Sequence, residues 1–177
     1  AIIVPLLYFL LSAAGYTEWA MHVAVATSLA TIIATSIRSV LAHNKRGAVD
    51  WQILKEWGPW IVIGAILGGF LTRYIDAQGM TAIFGSVALI ISAQLIFGRP
   101  SWAFGDHLPT GPVRAGVGTA LGTSSAIMGI GGGTFGVTLL TLFKRPMHTA
   151  VATAAGLGVA IGGPGALGAV IAGWGVE

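Results

Sequence analysis

The sequence predicts an all-α integral membrane protein, a multi-pass helical bundle. Apolar residues make up 55% of the chain and charged residues only 8%, whereas a soluble domain carries about 25% charged residues. The charged residues are also clustered, so that five stretches of 19, 16, 22, 29 and 31 residues contain none of them. About 20 apolar residues in a helix cross a bilayer core, so these stretches predict several spans. A cleaved signal peptide would explain only one of them.

The apolar segments follow one another along the chain with short polar connections. The first four predicted segments are residues 1–15, 20–42, 57–75 and 79–97. Residues 99–111 are rich in proline and glycine and predict a loop between two halves. The last three predicted segments are residues 112–128, 134–143 and 147–173. We expect glycine-rich breaks at residues 129–133, where the helix would be broken or re-entrant, and at residues 162–165.

Composition excludes several classes of function. The chain contains no cysteine, which rules out disulfides, thiolate metal sites and cysteine nucleophiles. The net charge of +3 is small and fits loop orientation better than binding of nucleic acid. Carboxylates occur only at span ends or in loops, at Glu18, Asp50, Glu56, Asp76, Asp106 and Glu177. The carboxylate relays of proton-driven pumps are therefore missing, and no metal or cofactor is expected.

Two sequence matches predict an internal repeat. The segment "HVAVATS" at residues 22–28 recurs as "HTAVATA" at residues 148–154, and "AIIVPLL" at residues 1–7 matches "TFGVTLL" at residues 134–140. Because the matches occur in the same order, a duplication is the simplest explanation. We expect a first repeat at 1–98, a loop at 99–111 and a second repeat at 112–177. The glycine run before the second copy has no counterpart before Ala1, so we expect a piece of a larger transporter, incomplete at both ends.

The run "GIGGG" at residues 129–133 lies in the most apolar part of the chain. Non-helical backbone at membrane depth is tolerated where it is buried in protein or lines a cavity. A helix that restarts at Thr134 would direct unpaired N–H groups and its positive dipole end into the break. The residues predicted to form this anion site are Gly129, Gly131, Gly132, Gly133 and Thr134. The alternative is that these glycines only allow close helix packing, the role we expect for Gly64 and Gly68.

Hydroxyl groups on the second span are candidate hydrogen-bond donors to an anion. Thr27, Thr31 and Thr35 are four residues apart and form one stripe on a helix. Thr153 is the repeat partner of Thr27, and Ser28 follows Thr27 directly. The predicted substrate-binding hydroxyls are Thr27, Ser28 and Thr153. The alternative for each is a bond to a carbonyl of its own helix or to a neighbouring helix.

Three basic side chains are candidates for a gating or proton-linked role. His22 and His148 occupy equivalent places at the starts of their spans, and histidine titrates near neutral pH. Capping or snorkelling at the interface is the alternative for both. Arg38 lies before the basic loop at residues 43–46 and would either snorkel to the interface or attract anions to the mouth of a path.

Taken together, these motifs resemble the TauE/SafE sulfite exporter family, also known as TSUP. The resemblance rests on the glycine run, the two histidine motifs, "HNKRGAVDW" at 43–51 and "GGPGALGAVIAGWG" at 162–175. It implies a secondary transporter of small anions, most simply sulfite or organosulfonates, in the bacterial cytoplasmic (inner) membrane. This sequence departs from symmetry at Thr138, which matches Pro5, and at Ala154, which matches Ser28.

Two other functions are weighed against an anion transporter. A non-transporting membrane scaffold would explain the packing glycines but not a break beside hydroxyls. An intramembrane enzyme lacks paired acids or a serine nucleophile motif, so we expect no enzyme activity. The expected partners are a sulfur oxyanion and the lipid bilayer, with a homodimer left open. For topology we expect inverted repeats, with residues 45 and 76 on opposite sides and Arg99 and Arg114 on the cytoplasmic side with the basic loop.

Overall fold

A computed structural model describes residues 2–17, 20–97, 105 and 107–173. These residues form helices and connecting turns, with no strand in the described ranges, so the all-α prediction is confirmed. The helices are α1 Ile3–Ala13, α2 Ala20–Asn44, α3 Trp51–Leu71, α4 Ala77–Phe97, α5 Gly111–Met128, α6 Gly132–Leu142 and α7 Met147–Gly173. A 3-10 turn at Thr72–Tyr74 extends α3. Most of the predicted loop at 99–111 and the last four residues lie outside the described residues.

Helix length and surface indicate a multi-pass membrane protein. Three helical stretches are long and apolar enough to cross a membrane, namely Ala20–Asn44, Trp51–Tyr74 and Met147–Ile171. Large apolar side chains cover the outside of the bundle, for example Phe9, 70% exposed, and Leu89, 73% exposed. Exposed apolar surface on this scale is unfavourable in water and suits contact with lipid.

Helix α3 begins six residues before the predicted span at 57–75. Its N-cap is Asp50, whose carboxylate accepts hydrogen bonds from the backbone N–H groups of Gln52 and Ile53. Such a cap satisfies backbone donors that would otherwise have no partner at a helix start. Lys55 and Glu56 interrupt the apolar pattern in the first turns, which is why hydropathy alone placed the start too late.

Helix α7 is continuous through residues 162–165, so the predicted interruption there is wrong. Pro164 lies inside the helix. In an apolar environment a broken helix would expose backbone groups that have no water to bond, which favours keeping the helix intact around a proline. The neighbouring glycines instead allow close approach: a Cβ on Gly162 would lie 3.2 Å from the carbonyl oxygen of Leu29.

Helices α3 and α5 are held together through glycines. A Cβ on Gly64 or on Gly122 would overlap the backbone of the facing helix, and a Cβ on Gly68 would lie 2.6 Å from the carbonyl oxygen of Thr123. Thr123 also donates a hydrogen bond of 2.9 Å from its Oγ1 to the carbonyl of Gly64. The packing role predicted for Gly64 and Gly68 is therefore confirmed, and it lets two backbones lie closer than larger residues allow.

Helices α2 and α7, which carry the two histidine motifs, pack against each other in opposite directions. Leu29 of α2 lies against Gly162 and Gly165 of α7, whereas Ser36, further along α2, lies against Gly158, earlier in α7. The second motif lies 148 − 22 = 126 residues after the first, so Ser36 of α2 corresponds to Gly162 of α7. The contact of Leu29 with Gly162 and the contact of Ser36 with Gly158 are therefore approximately symmetric. An inverted repeat requires this arrangement, and the duplication itself stays a prediction.

Contacts at the helix ends define the two sides of the bundle. The side chain of Thr153, near the start of α7, bonds Asp50 at the start of α3, and Arg114 in the first turn of α5 pairs with Glu56. All three helices therefore start on one side, and α6 runs back toward that side before α7 begins, so that α5 and α6 form a helical hairpin. That this hairpin is re-entrant in the membrane stays a prediction. Residues 45 and 76 lie beyond opposite ends of α3. Arg99 lies outside the described residues, and the cytoplasmic assignment stays a prediction.

Candidate functional site

The hairpin between α5 and α6 turns over a three-residue break at 129–131. Gly129, the C-cap of α5, has φ 62° and ψ 26°, a left-handed conformation that favours glycine. Its N–H donates to the carbonyl of Ala126 at 3.2 Å, and the N–H of Ile130 donates to that of Ser125 at 3.3 Å. Gly131 has φ 71°. These positive φ values explain why glycine occupies both ends of the break.

Helix α6 begins at Gly132, not at Thr134 as predicted, so Gly132, Gly133 and Thr134 form its first turn. The reason is packing against α7. A Cβ on Gly132 would lie 2.6 Å from the backbone nitrogen of Gly158, so only glycine lets the two backbones approach this closely. That contact holds the start of α6 two residues earlier than glycine's low helix propensity predicts.

The break lies deep between the two longest helices. A Cβ on Gly129 would lie 3.1 Å from the Cα of Val25, and a Cβ on Gly131 would lie 3.0 Å from the Cγ2 of Ile32. Val25 and Ile32 belong to the interior of α2, and Gly158 to the interior of α7. The first turn of α6 therefore starts within the span rather than at its surface.

The start of α1 lies beside the same break. The Cγ2 atom of Val4, in the first turn of α1, would lie 3.2 Å from a Cβ on Gly129. The N-caps of α1 and α6 are Ile2 and Gly131, and neither makes a side-chain capping bond. Helix α6 thus begins beside α1 with an amino end that has no side-chain cap and carries a partial positive charge.

One face of the first turn of α6 is open. Gly133 is exposed, and no atom of the described chain lies within 4 Å of the position that its Cβ would take. The first N–H groups of any α-helix have no partner within the helix. The described residues therefore leave this face of the first turn of α6 uncovered.

Ser28 shapes the break rather than offering a free donor. Its side chain is buried, and its hydroxyl donates a hydrogen bond of 2.7 Å to the carbonyl of Gly129. A serine hydroxyl has one proton to donate, so that proton is engaged. The hydroxyl of Thr31 donates to the carbonyl of Ser28 at 2.8 Å, and that of Thr35 donates to the carbonyl of Thr31 at 3.0 Å. These two threonines of the stripe therefore bond to carbonyls of their own helix, which was the alternative to binding an anion.

The structure does not bring Thr27 and Thr153 together in this conformation, and a shared role for them in substrate binding stays a prediction. Thr153 is fully buried, and its Oγ1 accepts a hydrogen bond of 3.0 Å from the N–H of Asp50. Thr27 is exposed on α2, two residues before Leu29, which packs against Gly165. Gly165 lies twelve residues beyond Thr153, which corresponds to about 18 Å along a helix.

The three basic candidates lie toward helix ends, in different environments. The Nε2 atom of His22 lies 3.1 Å from the carbonyl oxygens of both Thr72 and Ile75, so it joins α2 to the end of α3. His148 is exposed at the start of α7. Arg38 is exposed near the opposite end of α2. Their gating or proton-linked roles stay predictions.

Sequence reasoning missed three residues that border the start of α6. Ile32 lies against Gly131, Gly158 lies against Gly132, and Ser36 lies against Gly158. Of these three residues only Ser36 could have been identified from the sequence, because it continues the hydroxyl-rich pattern of α2. A fourth residue, Ser125, is fully buried one turn before the break, and its Oγ has no hydrogen-bond partner within the described ranges.

A bundle of helices, several of them long and apolar enough to cross a membrane, has the architecture of a multi-pass membrane protein. Residues 1–176 match the family described as Sulfite exporter TauE/SafE. The chain belongs to this family, and the resemblance inferred from its motifs is confirmed.

Three relatives illustrate the similarity, and each is described as a probable membrane transporter protein. The relative from Haemophilus influenzae is 28% identical over 98% of this chain and 66% of its own length. YunE from Bacillus subtilis is 30% identical over 86% of this chain and 63% of its own length. The relative from Methanocaldococcus jannaschii is 25% identical over 88% of this chain and 58% of its own length. The chain thus spans less than two thirds of the length of these relatives, and no solved structure matches it.

Proposed function

We propose that this chain forms the anion-binding core of a secondary transporter for sulfite or organosulfonates in the bacterial cytoplasmic membrane. The observation that carries the proposal is the start of α6, which has no side-chain cap and lies beside Gly133, where no described atom covers the Cβ position. The family description, Sulfite exporter TauE/SafE, supports the substrate class. The names of the relatives support a membrane transporter.

The proposed site uses backbone donors instead of a fixed positive side chain. The anion accepts hydrogen bonds from the N–H groups of the first turn of α6 and is stabilised by the helix dipole. Apart from Ser28, which bonds to Gly129, the side chains that border the Cβ positions of Gly129 and Gly131 are the apolar Val4 and Ile32. An anion held in this way avoids the tight ion pair that an arginine would form, which favours its release on the far side.

Export from a cell with a negative interior then needs no coupled proton. Outward movement of one negative charge is favoured by about 2.3 kcal/mol per 100 mV of membrane potential. The proposed site consists of residues 131–134. Ser28 positions the break, and Thr27 and Thr153 are not part of the site, because they lie apart in the structure.

Substitution of Gly133 tests this proposal without disturbing the fold. Gly131 and Gly132 are unsuitable, because a side chain there strains the backbone or collides with α7. At Gly133 a side chain enters open space and covers the N–H groups. We expect Gly133→Ala to reduce and Gly133→Val to abolish sulfite flux into proteoliposomes, with both proteins retaining the thermal unfolding temperature of the wild type.

Gly116 provides the matched control. It lies within α5, is exposed, and also has no described atom within 4 Å of its Cβ position. Gly116→Val should leave flux unchanged. Full sulfite flux through Gly133→Val at wild-type expression would refute the site. Equal loss of flux in both valine variants would show that the effect comes from the helices and not from the anion site. The absence of enzyme activity and the homodimer stay predictions that this experiment does not address.

A further inference from the structure

The last two turns of α2 and the loop that follows form a basic groove. Its lining residues are Arg38, Leu41, Ala42, Lys45 and Arg46, and its volume is about 520 Å³. Their spacing of i, i+3, i+4, i+7 and i+8 puts them on one face of a helix. The N–H of Lys45 still bonds to the carbonyl of Leu41 at 3.2 Å, so the helical register extends to Lys45, whereas the N–H of Arg46 bonds to the carbonyl of His43 at 3.1 Å in the turn that follows.

The carboxylates nearest to this groove in sequence are already engaged elsewhere. Asp50 caps α3 through the N–H groups of Gln52 and Ile53, and Glu56 pairs with Arg114. Three cationic side chains, Arg38, Lys45 and Arg46, therefore share one concavity, and no carboxylate among the described residues pairs with them.

The groove lies at the boundary between the polar interface and the apolar core. Trp51, 50% exposed, donates a hydrogen bond of 2.8 Å from its Nε1 to Asn44, and exposed tryptophan at a span end is typical of the membrane interface. Arg38 lies six residues before Asn44, which is about 9 Å deeper along the helix. Leu41 and Ala42 lie between Arg38 and Asn44 along the helix. The groove thus combines an apolar wall with converging cations.

We propose that this groove binds the phosphate headgroup of an anionic phospholipid, with an acyl chain along Leu41 and Ala42. A guanidinium can donate two parallel hydrogen bonds to a phosphate, and an ammonium adds a compact positive charge. Basic clusters next to a membrane span are known to recruit anionic lipids. Loop orientation by positive charge does not require the three cations to converge on one concavity, whereas headgroup binding does.

Lipid retention measured by native mass spectrometry tests this site independently of transport. The protein, purified in a neutral detergent, is titrated with phosphatidylglycerol, with phosphatidylcholine as the zwitterionic comparison. The variant is the triple substitution Arg38→Gln, Lys45→Gln and Arg46→Gln. The control is Lys55→Gln, Lys144→Gln and Arg145→Gln, which removes the same charge from exposed positions outside the groove on the same side.

We expect one phosphatidylglycerol to be retained by the wild type and by the control, and binding at least tenfold weaker in the groove variant. Phosphatidylcholine should bind all three proteins equally. Equal weakening in both triple variants would refute the site, because unspecific charge attraction would explain it. Displacement of the lipid by inorganic phosphate at the same concentration would also refute it, since the groove would then bind the free anion without needing the lipid.

Discussion

The two copies of the histidine motif have almost the same sequence and different surroundings. In the first copy, His22 bonds to the end of α3, Thr27 is exposed and Ser28 bonds to the break. In the second copy, His148 is exposed, whereas Thr153 is fully buried and bonds to the start of α3. The polar group that is exposed in one copy is thus engaged in the other. Sequence identity between repeats therefore does not predict equal roles.

The difference follows from which helices cover each copy. Helix α7 packs against α3 on one side and α6 on another, and Ala154 lies against Gly132 and Gly136 of α6. The face of α2 that carries Thr27, Thr31 and Thr35 is exposed within the described chain. The same hydroxyl thus stabilises a helix junction in α7 and meets no other helix in α2. Four pairs of substitutions test this contrast, and they are described from the largest expected effect to the smallest.

The tight contact between α6 and α7 should be the most sensitive feature of the second copy. Gly132→Ala puts a Cβ 2.6 Å from the nitrogen of Gly158, so the helices must separate. Overpacking of this kind costs about 3 kcal/mol, and denaturation with sodium dodecyl sulfate in mixed micelles measures it. Gly133→Ala is the control and should not destabilise the protein. Equal stability of both variants would show that α6 is not held against α7.

Removal of the hydroxyl should destabilise the protein at Thr153 more than at Thr27, its counterpart in the first copy of the motif. Thr153→Val leaves the partly buried N–H of Asp50 without its acceptor, and loss of such a partner costs about 1.5 kcal/mol. Thr27→Val, on the exposed face, should change stability by less than about 0.5 kcal/mol. The same micelle denaturation compares the two variants. A larger loss in Thr27→Val would mean that α2 is covered on this face in solution.

The two histidines should also differ in their effect on stability, but here the residue of the first copy, His22, should have the larger effect. His22→Ala removes the bond that joins α2 to the carbonyls at the end of α3, which should cost about 1.5 kcal/mol. His148→Ala removes an exposed side chain and should have almost no effect. Thermal unfolding followed by tryptophan fluorescence would measure the stability of both variants. Similar shifts for the two variants would contradict the assignment of His22 to a structural junction.

The smallest effect is expected at the bond between α2 and the break. Ser28→Ala removes the donor to the carbonyl of Gly129 and should cost about 1 kcal/mol. Because this bond fixes the turn before α6, we also expect faster amide hydrogen exchange at residues 129–131. Ser86→Ala, whose hydroxyl bonds to the carbonyl of Ala82 within its own helix, is the control. Exchange at the break that is unchanged in Ser28→Ala would show that the glycines alone hold its shape.

Much of this fold could be predicted from the sequence, because the signals are local. Charge-free stretches of sufficient length specify helices wherever backbone groups meet lipid. The glycine run marked the end of α5, where a left-handed residue is needed. The start of α6 was misplaced, and the break expected at Pro164 does not occur. Both errors share one cause, since glycine breaks an isolated helix but stabilises one that packs closely against a neighbour.

The sequence by itself determined that this protein is a helical membrane bundle of the TauE/SafE family with a glycine-rich interruption between α5 and α6. Only the tertiary structure decided that Thr153 faces Asp50, that Ser28 donates to Gly129 and that Gly133 borders open space. These outcomes depend on which helices lie side by side, and that choice is made by contacts between residues far apart in sequence, such as the hydrogen bond that joins Asp50 and Thr153 over 103 positions. Hydropathy and propensity describe each segment alone, whereas hydrogen-bond partners and free space belong to pairs of segments.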